Sequence, residues 1–237
     1  MSTGTIYLLP TLLGDEARTD SLCGWETGLL QELKVYFTEN EKSARRFLRK
    51  AGFTGSFDDI TLHRVDKDTR IEEQLQLLTL VRNGTDAGVL SEAGAPAIAD
   101  PGASLLALAH DMGIPVVPIP GPSAIMLSIM GSGLNGQQFT FHGYLPIDKI
   151  ARTRKLRELE QISFQTGYAQ FFIETPYRNT ALLEDCFQVL NPATRLCIGV
   201  NLTLQDGWIR TIPVSRWKQN KPAINKLPAV FGILKSS

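Results

Sequence analysis

The 237-residue chain is poor in the residues that build redox, metal and disulfide sites: it has three cysteines, Cys23, Cys186 and Cys197, and three histidines. Three is an odd number, and the spacing is not that of metal ligands. Reduced thiols in a cytoplasmic protein, with no metal, are therefore the expectation. Surplus charge is also missing. Lysine and arginine together number 24, and so do aspartate and glutamate, which argues against a broad phosphate-binding face and leaves room only for a local patch. Long apolar runs are absent too. The first, TIYLL (residues 5–9), stops at Pro10 and follows no basic segment, so neither a signal peptide nor a membrane span is expected. There is no internal repeat and no low-complexity tract. The hydrophobic residues, 43% of the chain, are ample for one large or two small cores.

Short β-rich runs alternate with helical patterns. TIYLL, KVYFT (34–38), AGVLS (87–91) and PVVPI (115–119) read as strands. NEKSARRFLRKAG reads as a helix with Asn40 as N-cap and Gly52 as stop, and EEQLQLLTLVRNG and ASLLALAHDMG read as further helices. The apolar helix AIMLSIM precedes the strand QFTFHG (138–143), and GYLPIDK then breaks the pattern. A charged helix, ARTRKLRELEQI, follows before the alternation restarts with QFFIE, TALLEDCFQVL, RLCIGVN, GWIRTIPV and PAVFGIL. The class is α/β with mostly parallel sheet. The expected organisation is an N-terminal domain over residues 1–143 and a C-terminal domain over 150–237.

GSGLNG (131–136) carries the glycine spacing of a dinucleotide fingerprint, but the mechanism needs a strand before it and a helix N-terminus after it. Here the order is reversed, and a helix-to-strand turn is the better account. Three other segments share a different trait. SEAGAPAIADPG (91–102), IPGPSA (119–124) and FIETPYR (172–178) each leave a predicted strand end and are small or stiff. In open α/β sheets ligands collect at the carboxyl ends of strands, and small residues there let backbone approach a ligand. One such loop is most simply a packing device; three argue for a ligand cleft.

Residues 87–124, AGVLSEAGAPAIADPGASLLALAHDMGIPVVPIPGPSA, resemble the core of the tetrapyrrole methylase superfamily. The nearest branch is the one that methylates a cytidine ribose 2′-hydroxyl in small-subunit ribosomal RNA. That branch reads S-D-A-G-T-P-x-I-S-D-P-G and then G-I-x-V-V-P-x-P-G-P-S/C-A; here Glu92, Ala95 and Ala99 replace Asp, Thr and Ser. TENEKSARRFL, GYLP and FFIETPYR resemble its A-E-D-T-R-x-x-R-R-L-L, G-F-L-P and F-Y-E-S-P-H-R. The resemblance implies two α/β domains with S-adenosylmethionine in a cleft between them, and a homodimer. Carried onto matching positions, the cofactor's contacts are Ala93, Gly94, Ala95, Ile98, Ser123 and Ala124. From the second domain they are Phe172, Ile173, Asn201, Leu202, Pro228 and Ala229. The first loop, PTLLGDE, matches P-T-P-I-G-N in part and is expected to face the substrate. The branch usually continues past its last strand with a helical RNA-contacting extension, whereas this chain ends at LKSS, and its A-R-E-L-T-K is here IGVNLTLQ.

A ribose hydroxyl is a poor nucleophile and benefits from a general base. Glu39 and Glu92 are the candidates. Glu39 has a helix cap as its alternative role, and Glu92 has hydrogen bonds from loop amides or ribose hydroxyls. His63 and His142 are read as packing residues, and Glu174 with Arg178 as either an ion pair or part of the site. Arg45, Arg46, Arg49 and Lys50 form one basic face able to meet RNA phosphates; Arg152, Arg154, Lys155 and Arg157 form another, whose simpler reading is a solvated helix. Three functions follow: ribosomal RNA ribose methylation, with the small ribosomal subunit as partner; methylation of a small molecule or tetrapyrrole by the same fold; or a non-catalytic homologue that binds nucleotide or RNA.

Overall fold

The computed structural model describes residues 2–22 and 26–235; Cys23 lies outside them. Cys186 and Cys197 are buried free thiols, and burial pushes the Cys197 thiol up to about 11. Among the described residues no helix is long and apolar enough to cross a membrane, and no group of three or more His, Cys, Asp or Glu could hold a metal ion.

Two compact units divide the chain, Met1–Ser123 and Ala124–Ser237. The first runs β1 (Ile6–Leu9), α1 (Glu26–Glu32), β2 (Val35–Thr38), α2 (Glu41–Lys50), β3 (Thr61–Arg64), α3 (Ile71–Arg82), β4 (Ala87–Leu90), α4 (Gly102–Asp111) and β5 (Val116–Pro118). Its five strands are all parallel, in the order β3-β2-β4-β1-β5. Burial on both faces explains why β2 and β4 read as continuous apolar runs rather than alternating ones. Adjacent residues of β2 serve opposite faces: Phe37 packs with Ile6, Val89 and Leu105, while Tyr36 packs with Leu9, Leu30, Leu48 and Leu90. The predicted Asn40 cap is present, its side chain accepting from the amides of Lys42 at 2.9 Å and Ser43 at 3.2 Å. Because every strand points the same way, all strand-end loops emerge from one edge. The register sets Thr38 and Leu9 each opposite Leu90, so Pro10, Glu39 and Ser91 step out of the sheet at one level.

The second unit runs α5 (Ala124–Ser132), β6 (Phe139–Tyr144), α6 (Lys149–Thr166), β7 (Ala169–Ile173), α7 (Asn179–Val189), β8 (Arg195–Val200), β9 (Trp208–Pro213), α8 (Val214–Gln219) and β10 (Ala229–Leu234). Its sheet order is β6-β7-β10-β8-β9. Only β6 and β7 pair in parallel; β7 with β10, β10 with β8 and β8 with β9 are antiparallel. The expectation of mostly parallel sheet therefore holds for the first unit and fails for the second. The β7-α7-β8 crossover is present, but the closing strand inserts between its two strands. The division also falls earlier than the boundary expected at residues 143–150. β6 belongs to the second sheet, and α5 packs Ile129 against Ala169, Phe171 and Val230 of that sheet, so the chain from Ala124 onward is committed to the second core.

Candidate functional site

At the carboxyl edge of the first sheet, the loops after β1, β4 and β5 meet at Gly94. Thr11 and Gly94 form an antiparallel bridge, N to O at 2.9 Å one way and 3.2 Å the other. The Ser91 hydroxyl donates to the Gly94 carbonyl at 2.8 Å. Gly94 has φ +81, and a Cβ there would lie 3.0 Å from Leu13 Cδ2 and 3.4 Å from the Pro122 carbonyl oxygen. Gly121 is equally tight, since a Cβ would sit 2.5 Å from Pro10 Cβ. At Gly121 the Pro10 ring leaves no room for a Cβ, and at Gly94 it is the positive φ more than the space that calls for glycine. Thr11 is 3% exposed and its hydroxyl has no partner in the structure, a polar group available to whatever fills the edge. The next residues are strained. Ala97 and Ala99 take left-handed φ of 64 and 59, a conformation costing about 1–2 kcal/mol per residue for an L side chain. Asp100 holds them there: its Oδ1 accepts from the amides of Ala97 and Gly102, both at 2.8 Å. Strain kept by a dedicated carboxylate at a loop tip is typical of a ligand-binding segment.

Beside this loop stand the acids. Glu39, Asp100, Thr38, Phe37 and Gly102 are among the lining of a pocket between the ends of β2 and β4. Glu39 is half-buried, and its Oε1 lies 3.4 Å from the Glu92 amide nitrogen. Burial, and then the Asp100 carboxylate, hold Glu39 above the ordinary glutamate range. Burial likewise raises Asp100. Glu92 is exposed, and its Oε1 accepts the Ser43 hydroxyl at 2.6 Å. The two candidate bases are therefore neighbours with different environments. Neither caps α2, since Asn40 does that.

In the second unit, the residues expected at the cofactor also gather on one edge. Ile173 pairs with Val230 and Val200 with Ala229, so the exits of β7 and β8 and the entry of β10 are level. The Asn201 amide donates to the Pro228 carbonyl at 3.1 Å, and Asn201 sits at φ 48 with its side chain donating to Asp206 at 2.8 Å. Leu202 is half-buried, Pro228 exposed and Ala229 buried. Of the pair Phe172 and Ile173, the Phe172 side chain is 0% exposed and stacks on Phe231 with centroids 5.9 Å apart, so it could meet a ligand only through its backbone. It is a core residue, and Ile173, at the strand's end, is the member of that pair that reaches the edge.

The basic helix α2 is exposed but not idle. Arg46 pairs with Asp15 at 2.9 Å, Arg45 lies over Phe57 at 5.1 Å, and Arg49 lies over Phe57 at 4.4 Å while donating to the Phe53 carbonyl at 2.8 Å. The second cluster is split. Arg154 and Arg157 are exposed, and Lys155 pairs with Glu158 at 2.6 Å. Arg152 is 6% exposed, its Nη2 2.6 Å from Asp185 Oδ2 and its Nη1 2.7 Å from the Ile147 carbonyl oxygen. Arg152 is thus a buried tie between α6 and α7 and no RNA contact. Arg152→Lys keeps the charge and loses the fork, so it should cost about 1–2 kcal/mol in urea unfolding. His142 is held by Gln170 at 2.7 Å, His63 lies against Phe37, and Glu174 pairs with Arg178 at 2.6 Å, matching their structural readings. The sequence reading missed Asp100, Ser43 and Thr11. Only Asp100 carried a signal, an Asp two residues before a helix start.

This combination, a parallel α/β unit with a small-residue carboxyl edge followed by a mixed-sheet unit, is the fold of the tetrapyrrole methylases. The chain superposes on the methyltransferase CobJ with a TM-score of 0.64 at 16% identity, covering 98% of this chain and 95% of that one. It superposes on uroporphyrin III C-methyltransferase from Thermus thermophilus with a TM-score of 0.59 at 16% identity, covering 98% of both. That enzyme has also been crystallised in complex with S-adenosyl homocysteine. In sequence the chain is a homologue of ribosomal RNA small subunit methyltransferase I. It is 32% identical over 206 residues to the Micromonospora olivasterospora protein, covering 86% of this chain and 61% of that one. To the Pseudomonas aeruginosa protein it is 26% identical over 215 residues, covering 91% and 72%. The chain thus spans between three-fifths and three-quarters of the length of these relatives. No protein-family model matches it.

Proposed function

We propose that the chain is an S-adenosylmethionine-dependent methyltransferase that acts on a ribose 2′-hydroxyl of small-subunit ribosomal RNA. The observation that carries the cofactor assignment is the meeting of three strand-end loops at Gly94, backed by the sequence relatives. The residues fit the group. Gly94 leaves a cradle that a Cβ would fill, and the buried Thr11 hydroxyl is unpartnered beside it. The positions that the resemblance assigns to the cofactor are, in the first unit, the backbone of Ala93, Gly94, Ala95, Ile98 and Ser123 and, in the second unit taken by itself, Ala124, Ile173, Asn201, Leu202, Pro228 and Ala229. When bound, S-adenosylmethionine supplies an activated methyl group on a sulfonium. The chain's task is to hold the nucleophile in line, exclude water and accept one proton.

Of the two acids, Glu39 takes that proton. It is half-buried, adjoins Glu92 and hence the Ala93–Gly94 backbone, and is more basic than an ordinary glutamate. Glu92 already accepts the Ser43 hydroxyl and faces solvent, so its part is to hold α2 to the loop. Arg45, Arg46 and Arg49, with the loop after β1 that Arg46 pins through Asp15, meet the RNA backbone. The protein works in the cytoplasm as a homodimer, the commonest closed assembly. The structural neighbours favour one second reading, a tetrapyrrole or other small-molecule acceptor on the same fold.

Titration calorimetry with S-adenosylmethionine and S-adenosylhomocysteine tests the cofactor; saturable binding of both is expected, and none would sink both enzyme readings. Ribosomal RNA from a strain lacking the gene separates them, one ribose 2′-O-methyl group being expected to disappear. An unchanged methylation map would reject the RNA acceptor.

A further inference from the structure

Asn179 is the first residue of α7 and is 0% exposed. Its amide nitrogen donates to the Leu227 carbonyl at 2.6 Å. The acceptor's identity fixes the orientation of the amide, because a carbonyl oxygen can face only the NH2 end. Its own Oδ1 is buried without a partner, as is Oε2 of Glu174 in the same turn. Burying half an unsatisfied amide costs free energy, so the bond that the other half makes must matter to that turn. The bond does not stand alone. Lys226, in a left-handed φ of 61, donates its amide to the Pro176 carbonyl at 3.0 Å. Two bonds therefore tie residues 226 and 227 to the turn between β7 and α7. That turn is itself stiff: Glu174, 4% exposed, accepts from the Thr175 amide at 2.7 Å and from Arg178 at 2.6 Å. The next residue along, Pro228, is the one whose carbonyl accepts the Asn201 amide.

We infer that Asn179 is the positioning residue of the cofactor edge in the second unit. Its buried amide clamps Leu227 so that the Pro228 and Ala229 backbone, and through Pro228 the Asn201 backbone, stand ready for the ligand. This rests on the cofactor reading given above. Asn179 touches no ligand itself. It converts the rigidity of the β7-to-α7 turn into a fixed path for a segment with no regular structure of its own, which lowers the ordering cost of binding.

The test is Asn179→Leu, with the nearly isosteric Asn179→Asp as the second variant in case the first does not fold. Leu182→Ala, on the same helix and buried in the core, serves as the control for general destabilisation. In calorimetry with S-adenosylhomocysteine, the Asn179 variants should bind about tenfold more weakly, while the maximal methylation rate at saturating S-adenosylmethionine stays within about twofold. Leu182→Ala should bind as the wild type does. Hydrogen exchange should quicken at the amides of Asn201, Lys226, Leu227 and Ala229 in the Asn179 variants only, with the β10 interior unchanged. Wild-type affinity and exchange in a folded Asn179 variant would overturn the inference, and so would equal weakening in Leu182→Ala. A wild-type protein that binds no S-adenosylhomocysteine would sink the cofactor reading instead, and the exchange of the Asn201, Lys226, Leu227 and Ala229 amides would still decide whether the clamp exists.

Discussion

Gly94→Val is expected to weaken S-adenosylhomocysteine binding at least a hundredfold, about 2.7 kcal/mol, while the fold persists. A β-branched residue is a genuine outlier at positive φ, and Gly94 sits at +81. The backbone has no freedom to move to a better conformation. It would have to give up two bonds to Thr11 and one from Ser91, each worth roughly 0.5–1.5 kcal/mol net. A Cβ would meet Leu13 Cδ2 at 3.0 Å and the Pro122 carbonyl oxygen at 3.4 Å; the flexible end of Leu13 can yield by a few tenths of an ångström, so the cost lies in the positive φ, and relieving that strain moves the loop. The sheet beneath is anchored independently by Leu9, Tyr36 and Leu90 on one face and Ile6, Phe37 and Val89 on the other. Circular dichroism should therefore stay native, with the melting temperature lowered by about 4–10 °C. Gly94→Ala adds the strain and the Cβ without the branches, so an intermediate loss near tenfold is expected. Calorimetry on the three proteins gives the series, and unaltered affinity in Gly94→Val would detach this loop from the cofactor.

How much of this was legible beforehand depended on how local the cause was. The strands of the first unit are short apolar runs closed by Pro10 or by small-residue loops, and α2 announces itself with Asn40; such signals act over a few residues and survive into the fold. Thr61–Arg64 did not read as a strand because it is an edge, with Thr61 and Arg64 exposed, and so lacks the apolar run of its neighbours. The insertion of β10 between β7 and β8 is a non-local event for which the sequence has no local mark. The same holds for the site. The small-residue loops were visible as composition. That Asp100 pins Ala97 and Gly102, that Ser43 occupies Glu92, and that Arg152 turns inward to Asp185 depend on partners tens of residues away, or on a backbone strain that sequence does not display.

The contrast between the two acids leads to the second large effect. Glu39→Gln should lower methyl transfer by about 10²–10⁴-fold, the usual worth of a general base, with S-adenosylhomocysteine affinity within about twofold of the wild type. Glu92→Gln keeps an acceptor for Ser43 and should stay within about threefold. The pH profile supplies the sharper readout. As a base Glu39 works ionised, so activity rises with pH through its titration, and the acid limb of kcat/KM reports that group in the free enzyme. The groups that bear on it are Asp100 and Glu92 from the loop after β4 and Asp66 from the end of β3, all negative and all raising it, against the Glu92 amide, which lowers it. Asp100→Asn retains an oxygen for the Ala97 and Gly102 amides and removes the largest of these charges. The acid limb must then move to lower pH, because the Glu39 carboxylate loses a repulsion and becomes easier to ionise. Ser43→Ala alters only the partner of Glu92 and should leave the limb where it is. If the limb follows Ser43 and ignores Asp100, the proton goes to Glu92, and the exposed acid rather than the half-buried one does the chemistry.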